Sequence, residues 1–147
     1  MSFSCRFVTP ERTLFEADAL SFTLPTEMGE VTILTHHEPM TSVLVPGIAH
    51  YTDASGKEHE VALSSGFLQV DGTGRMTVLA ENAEHGDELD LHAIAEAKAR
   101  AEQIMKNAID KNDAAYTAAA AALQRELIRE RLAVKYKHRR KTFSTEE

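Results

Sequence analysis

The sequence predicts an α+β chain: an N-terminal antiparallel β-sandwich followed by a C-terminal antiparallel two-helix hairpin. Three observations carry that expectation. The first eighty or so residues break into short runs of β-formers, spaced about every ten residues and closed by turn signals, the pattern of a sandwich or barrel. From residue 89 to 109 there is neither Gly nor Pro, and apolar residues recur at three- and four-residue intervals. The charge divides at the same place. Residues 1–86 hold 4 Lys/Arg and 12 Asp/Glu, a balance of −8, whereas 87–147 hold 12 and 11, a balance of +1. The expected domains are therefore 1–86 and 87–147.

In order along the chain, residues 3–9 are rich in β-formers and stop at Pro10. Residues 14–24 alternate imperfectly through Phe15, Ala17, Ala19, Phe22 and Leu24 and end at Pro25. Residues 31–34 follow a Met28-Gly29 turn signal, and 43–45 close at Pro46-Gly47, a strong turn dipeptide. Residues 48–52 and 58–63 flank Asp53-Ala54-Ser55-Gly56, and 66–70 and 76–80 flank Asp71-Gly72-Thr73-Gly74, two hairpins by pattern. A polar joint at 84–88 leads to a first helix over 89–109, with Leu91, Ile94, Ala101, Ile104, Met105 and Ala108 on one face. Residues 110–113 break it, and Asn112 or Asp113 is placed to cap a second helix from about 115 to about 138. Tyr116, Ala120, Leu123, Leu127 and Val134 share one face of that helix. Two helices with so short a link lie antiparallel, and 142–147 read as frayed. The seam is mostly alanine, and one buried methyl contributes about 0.8 kcal/mol against roughly 1.5–3 for Leu or Ile. Either the hairpin is loosely committed to its docked position, or Ala119–Ala122 is simply a good helix-forming run.

Composition narrows the function. With 147 residues, 43% of them hydrophobic and 27% charged, the chain has the makeup of a soluble globular protein, with no apolar run near the roughly 20 residues a bilayer span needs. The N-terminus lacks the apolar core of a signal peptide and runs straight into strand pattern, so a cytosolic bacterial origin is the simplest expectation. Cys5 is the single cysteine, which rules out an intrachain disulfide and a Cys-based zinc site. Seven histidines invite a metal reading, yet His36-His37-Glu38 is the densest cluster and adjacent residues of extended chain point to opposite faces. The glycines sit in turn contexts, and no GK[ST] phosphate loop occurs. Ser64-Ser65-Gly66 lacks a nucleophile-elbow pattern. No catalytic residue, metal or cofactor is therefore expected.

The sharpest feature by composition is basic: 125–141 holds 8 Lys/Arg and 2 Asp/Glu, including Arg125, Arg129, Arg131 and Lys135. Arg125 and Arg129, four apart, share a helix face. An acidic protein partner, a nucleic acid, or a solvated face that complements the helix dipole all fit this pattern. The acidic sandwich and the absence of interleaved aromatics weigh against nucleic acid.

The order of these elements, with three strings, resembles the epsilon subunit family of the F-type rotary ATP synthase. The strings are Gly29-Glu30-Val31-Thr32-Ile33-Leu34-Thr35-His36-His37-Glu38-Pro39 running on to Val45-Pro46-Gly47, Ser65-Gly66-Phe67-Leu68-Gln69-Val70, and Val78-Leu79-Ala80-Glu81-Asn82-Ala83 leading to Leu89-Asp90. The resemblance implies a non-catalytic rotor subunit of a proton-translocating complex, peripheral on the cytoplasmic face of the bacterial inner membrane. Its implied partners are the gamma subunit, the ring of c subunits and the alpha/beta catalytic hexamer, with no nucleic acid and no membrane insertion. Gly29, Glu30, His37 and Pro39 match the segment facing gamma and the ring. Arg125, Arg129, Arg131 and Lys135 match the helix that meets the catalytic subunits and restrains ATP hydrolysis. Two departures stand out. Thr32 and Thr35 replace a family Gly and Pro. In the nucleotide motif implied by Asp90, Arg125 and Arg129, Ala93 stands where an arginine is expected. Losing such a phosphate-pairing guanidinium removes about 1.5–3 kcal/mol, so weak or absent ATP binding is expected.

Overall fold

The structure is a computed structural model that describes residues 1–109 and 113–144, with side chains through Lys137. The chain divides into two compact units, Met1–His85 and Gly86–Glu147.

The first unit is all β. Its strands are β1 (Phe3–Val8), β2 (Thr13–Thr26), β3 (Gly29–Leu34), β4 (Met40–Leu44), β5 (Gly47–Asp53), β6 (Glu58–Leu63), β7 (Gly66–Val70), β8 (Met76–Ala80) and β9 (Ala83–His85). One layer runs β1-β8-β7-β4, with β1 and β8 parallel and the other neighbours antiparallel. The other runs β3-β2-β5-β6-β9, antiparallel throughout. The long β2 belongs to both: Thr13–Ala19 pairs with β1, Ser21–Thr26 pairs with β3, and Thr26 also meets Leu44 of β4. Its register shifts between Ala19 and Ser21, which is where one strand turns from one layer to the next.

Two boundaries differ from the sequence expectation. β2 continues past Pro25, because Pro25 sits opposite Glu30 and its carbonyl still accepts from Val45 N at 3.2 Å. β9 overlaps the start of the expected polar joint. Three residues carry no period of their own, and its strand character comes from pairing with β6.

Alternate side chains fill the sandwich: Phe7, Phe22, Leu24, Ile33, Leu44, Val61, Leu68, Met76 and Val78 are fully buried. An aromatic cluster forms one end of this core. Tyr51 stacks on Phe22 and Phe15 at 4.9 and 4.8 Å, and Phe7 lies 5.6 Å from Phe15.

The second unit opens with a 3-10 turn (Gly86–Glu88), followed by α1 (Leu91–Asn107) and α2 (Ala114–Ser144), packed against each other. Asp90 caps α1 by accepting from His92 N at 2.9 Å, so the helix begins two residues later than its composition suggests. Asp113 caps α2 by accepting from Ala115 N at 3.1 Å, while the alternative cap, Asn112, lies outside the described residues. α2 runs to Ser144 rather than stopping near residue 138 and fraying from 142; its strong helix formers carry no stop signal. Residues 145–147 lie outside the described set.

The face assignment of α2 needs a larger correction. Among its described side chains the buried ones are Ala119, Glu126, Ile128, Leu132 and Ala133, while Tyr116, Ala120 and Leu123 of the expected row are half-buried. Leu127 and Val134 are 47% and 53% exposed. On α1, Ile94 and Ala101 are buried as the spacing predicts, whereas Ile104 is exposed.

Candidate interaction surfaces

The first string surrounds β3. Thr26 shapes the turn before it: its hydroxyl donates to Gly29 O at 2.6 Å and accepts from Met28 N at 3.2 Å. Gly29 has φ +105°, a left-handed conformation that disfavours any side chain. Glu30 is exposed just beyond. Thr32 continues the strand as regular β, its hydroxyl 2.9 Å from that of Thr23 across the ladder. The chain then reverses at His36, which is left-handed at φ +66°, and His37 Nδ1 lies 2.7 Å from Glu38 O. Gly29 and Glu30 therefore sit at one end of β3, and His37 and Pro39 beyond the other. Glu30 and Leu34 alone are about 13 Å apart at roughly 3.3 Å per residue. The structure does not bring the four together; it makes two pairs at opposite ends of the sandwich.

A surface that the sequence reading missed lies on the outer face of the β1-β8-β7-β4 layer. Val43 pairs with Phe67, Phe67 with Leu79, and Leu79 with Val8, so four apolar side chains form one row across four strands. Phe67 is 57% and Leu79 52% exposed. The neighbouring row, Thr41, Gln69, Thr77 and Arg6, is polar. The apolar row lines a groove of about 540 Å³, together with Pro10 and Gly66. Each exposed member adjoins a buried apolar residue in sequence (Phe67 by Leu68, Leu79 by Val78, Val43 by Leu44), so strand alternation cannot tell which neighbour faces out. The readable signal was the doubling itself, since a one-faced strand has no use for it.

On the hairpin, the predicted cations part company. Arg129 Nη1 donates to both carboxylate oxygens of the buried Glu126, at 2.9 and 2.7 Å, and Arg125 Nε lies 3.8 Å from the same group. Lys98 of α1 pairs with Glu130 of α2 at 3.0 Å. Arg131 and Lys135 are exposed, and the spacing 127, 131, 134, 135 places them on one helix face with the exposed Leu127 and Val134. Arg139, Arg140 and Lys141 lie beyond the described side chains. Asp90 lines a cleft of about 320 Å³ with Ala133, Tyr136 and Lys137; Arg125 and Arg129 do not line it. The implied nucleotide set of Asp90, Arg125 and Arg129 is thus divided between a helix cap and the Glu126 carboxylate.

The other reactive side chains have structural surroundings. Burial pushes the Cys5 thiol up to about 12, helped by the Asp18 charge, and its Sγ donates to Ala17 O at 3.2 Å. It is a protonated core residue. His59 stacks on Tyr51 at 4.7 Å and donates to Asp53 at 2.8 Å. The twin hairpin turns share one device. Asp53 accepts from the Ser55 hydroxyl, Ser55 N and Lys57 N, and Asp71 accepts from the Thr73 hydroxyl, Thr73 N and Arg75 N. Those donors hold both carboxyls below the ordinary carboxylate range, the side-chain hydroxyls foremost. Among the described residues no group of three His, Cys, Asp or Glu side chains is arranged to hold a metal ion, and no helix is long and apolar enough to cross a membrane.

The model of the family described as "ATP synthase, Delta/Epsilon chain, beta-sandwich domain" matches residues 2–86. The ATP synthase epsilon chain of Syntrophomonas wolfei is 34% identical over 134 residues, which is 91% of this chain and 96% of the relative. The chain belongs to the ATP synthase epsilon family. The likeness runs through both the sandwich and the hairpin, and the epsilon chain of Nitratidesulfovibrio vulgaris repeats it at 37% identity, over 89% of this chain and 95% of its own. Among solved structures, a chain of the Euglena gracilis mitochondrial ATP synthase superposes with a TM-score of 0.71 at 23% identity, covering 92% of this chain and 81% of that one. A chain from the Tetrahymena thermophila mitochondrial central stalk and c-ring does so at 0.59 and 17%, covering 90% and 97%. These two share the epsilon fold of sandwich and paired helices.

Proposed function

We propose that this epsilon-family chain is a non-catalytic rotor subunit of a proton-translocating ATP synthase, standing in the central stalk at the cytoplasmic face of a bacterial inner membrane. The observation that carries the reading is the match to epsilon relatives through sandwich and hairpin together. The sandwich couples gamma to the c-ring as a rigid clamp, and the hairpin biases the motor through contacts with the alpha/beta hexamer. A rigid clamp suits a closed two-layer sandwich whose long second strand ties its layers. A regulatory arm suits a helix that exposes Leu127, Arg131, Val134 and Lys135 on one face. Such an arm shifts the motor's states only by the difference in its affinity for them. ATP is not a tight ligand of the chain, because Ala93 replaces the expected arginine and Arg129 is engaged by Glu126.

The test is co-purification from membranes of a strain carrying the tagged chain. Recovery of gamma, the c-ring and the hexamer is expected. Deleting residues 87–147 is expected to leave assembly and coupling in place while changing the inhibition of ATP hydrolysis. Loss of assembly in that deletion, or recovery of neither gamma nor the ring by the full chain, overturns the reading.

A further inference from the structure

The twin hairpin turns are alike in themselves: each carboxylate, Asp53 or Asp71, accepts from the backbone N–H of a cationic residue four positions on, Lys57 or Arg75. The β7–β8 turn, however, meets two other parts of the chain, the start of β1 and the reversal that follows β3. The three enclose a polar cavity of about 250 Å³. Ser2, Ser4, Thr35, His36 and Arg75 line it beside the buried Phe3, and no carboxylate does, on a unit whose residues 1–86 hold 12 Asp/Glu against 4 Lys/Arg. Asp71 interacts with the Arg75 charge, but it lies outside the lining and gives one oxygen to three donors of its own turn. Among the described residues, the side chains of Ser2, Ser4, Thr35, His36 and Arg75 make no hydrogen bond or ion pair within the chain. His36 is also the single non-glycine residue with a left-handed φ among them, +66°. No bond of its own side chain offsets that strain, and backbone outliers of this kind cluster where a chain is shaped for a ligand.

We propose that this cavity is a binding site for a phosphate-bearing anion, paired with the Arg75 guanidinium and hydrogen-bonded by His36 and the hydroxyls of Ser2, Ser4 and Thr35. A guanidinium donates only, in a fork that matches two phosphate oxygens at once. Hydroxyls and a neutral imidazole supply further donors without a fixed negative charge to repel the ligand. The cavity is smaller than the roughly 300–1,000 Å³ of sites for drug-sized ligands, which limits the occupant to a phosphate and a small attached alcohol. Arg75 and His36 are exposed, so the affinity is weak, in the millimolar range, and salt competes with it. Free phosphate and the headgroup of an anionic phospholipid offer the same chemistry. The site stands apart from the Asp90 cleft of the hairpin and does not depend on the rotor reading.

The experiment is an amide NMR titration of the full-length chain with sodium phosphate and with glycerol phosphate, at ionic strength held constant with sodium chloride. Co-sedimentation with phosphatidylcholine vesicles containing phosphatidylglycerol runs beside it. Saturable shifts of the Thr35, His36 and Gly74 amides are expected, with the affinity lowered about tenfold or more by Arg75→Gln and unaltered by Lys57→Gln on the twin turn. His36→Gly is expected to weaken binding while keeping or raising the melting temperature, because glycine adopts a φ of +66° without strain. Vesicle binding that Arg75→Gln weakens, with glycerol phosphate preferred over phosphate, supports the site with a lipid headgroup as its source. Saturable phosphate shifts without vesicle binding support it with free phosphate as the source. Absence of saturable shifts with either anion overturns the proposal. So does an equal loss with Lys57→Gln, unaltered affinity in both Arg75→Gln and His36→Gly, or vesicle binding that Arg75→Gln leaves unchanged.

Discussion

Gly66 is where the groove, the β7–β8 ladder and the second family-like string coincide, and replacing it with alanine tests the packing directly. A Cβ built at Gly66 falls 2.0 Å from Leu79 O and 2.8 Å from Ala80 Cα, against 3.4 Å or more for ordinary contact. Both obstacles are backbone atoms of the partner strand, which no rotamer change can move aside. Gly66 and Ala80 are register partners, so β7 and β8 must part by more than an ångström at that pair. Overpacking of this kind costs roughly 1–3 kcal/mol, and weakening a ladder hydrogen bond adds about 1. The stiffer unfolded chain returns about 0.4–1 kcal/mol. The net loss expected is about 2–3 kcal/mol. For a unit of this size that is a fall in melting temperature of roughly 10–20 °C. Near-ultraviolet circular dichroism reports it, because Tyr51 sits in the aromatic cluster of the same core. Gly72→Ala is the control: nothing lies within 4 Å of its Cβ and its φ is not in the left-handed region, so it should be neutral or slightly stabilising. A Gly66→Ala loss below about 0.5 kcal/mol, the range of ordinary surface changes, would refute the close-approach argument.

Three further outcomes follow from the same structure. Arg129→Leu takes two short hydrogen bonds from the buried Glu126 carboxylate, with Arg125 Nε still 3.8 Å away, and should destabilise the chain by about 3 kcal/mol, read by urea denaturation of the helical signal; a change under 1 kcal/mol would mean Glu126 is adequately served by its other neighbours. Asp53 and Asp71 have folded-state pKa values below their unfolded values, so their contribution is present above about pH 3.9 and is lost as pH falls through the depressed folded values. Asp53→Asn should therefore lower the melting temperature at pH 7 by more than at pH 2, and an equal drop at both would refute that assignment. Titration with ATP should show no saturable binding below the millimolar range, since Ala93 removes one guanidinium and Glu126 occupies another; micromolar affinity would contradict it.

Local pattern and tertiary placement contributed differently to each surface. The hairpin turns were legible because Asp-x-Ser/Thr-Gly closes itself, each carboxylate binding donors within four residues of its own position. The cationic helix was legible by counting. Its inward face was not, because alanine buries at little cost at almost any angle and the apolar residues of α2 do not confine themselves to one stripe. Glu126 in the seam, with Leu127 and Val134 outside it, reverses the usual rule. A buried carboxylate is acceptable there only because Arg129, one turn on, can reach both its oxygens. The surroundings of Asp90, Arg125 and Arg129 were hidden for the same reason: nothing in them as letters shows that the first caps a helix and that the other two lie beside the Glu126 carboxylate.

The sequence by itself determined the class of the chain, its two-part order, most of its elements and its family resemblance, because β-formers, turn dipeptides, helix formers and charge act over a few residues and can be read in line. Tertiary structure alone decided which surfaces exist. Only strand register sets Val43, Phe67, Leu79 and Val8 in one row. Only the length of β3 separates Glu30 from His37, and only helix packing turns Leu127 and Val134 outward beside Arg131 and Lys135. Those are relations between residues far apart in the chain, fixed when the whole core closes at once.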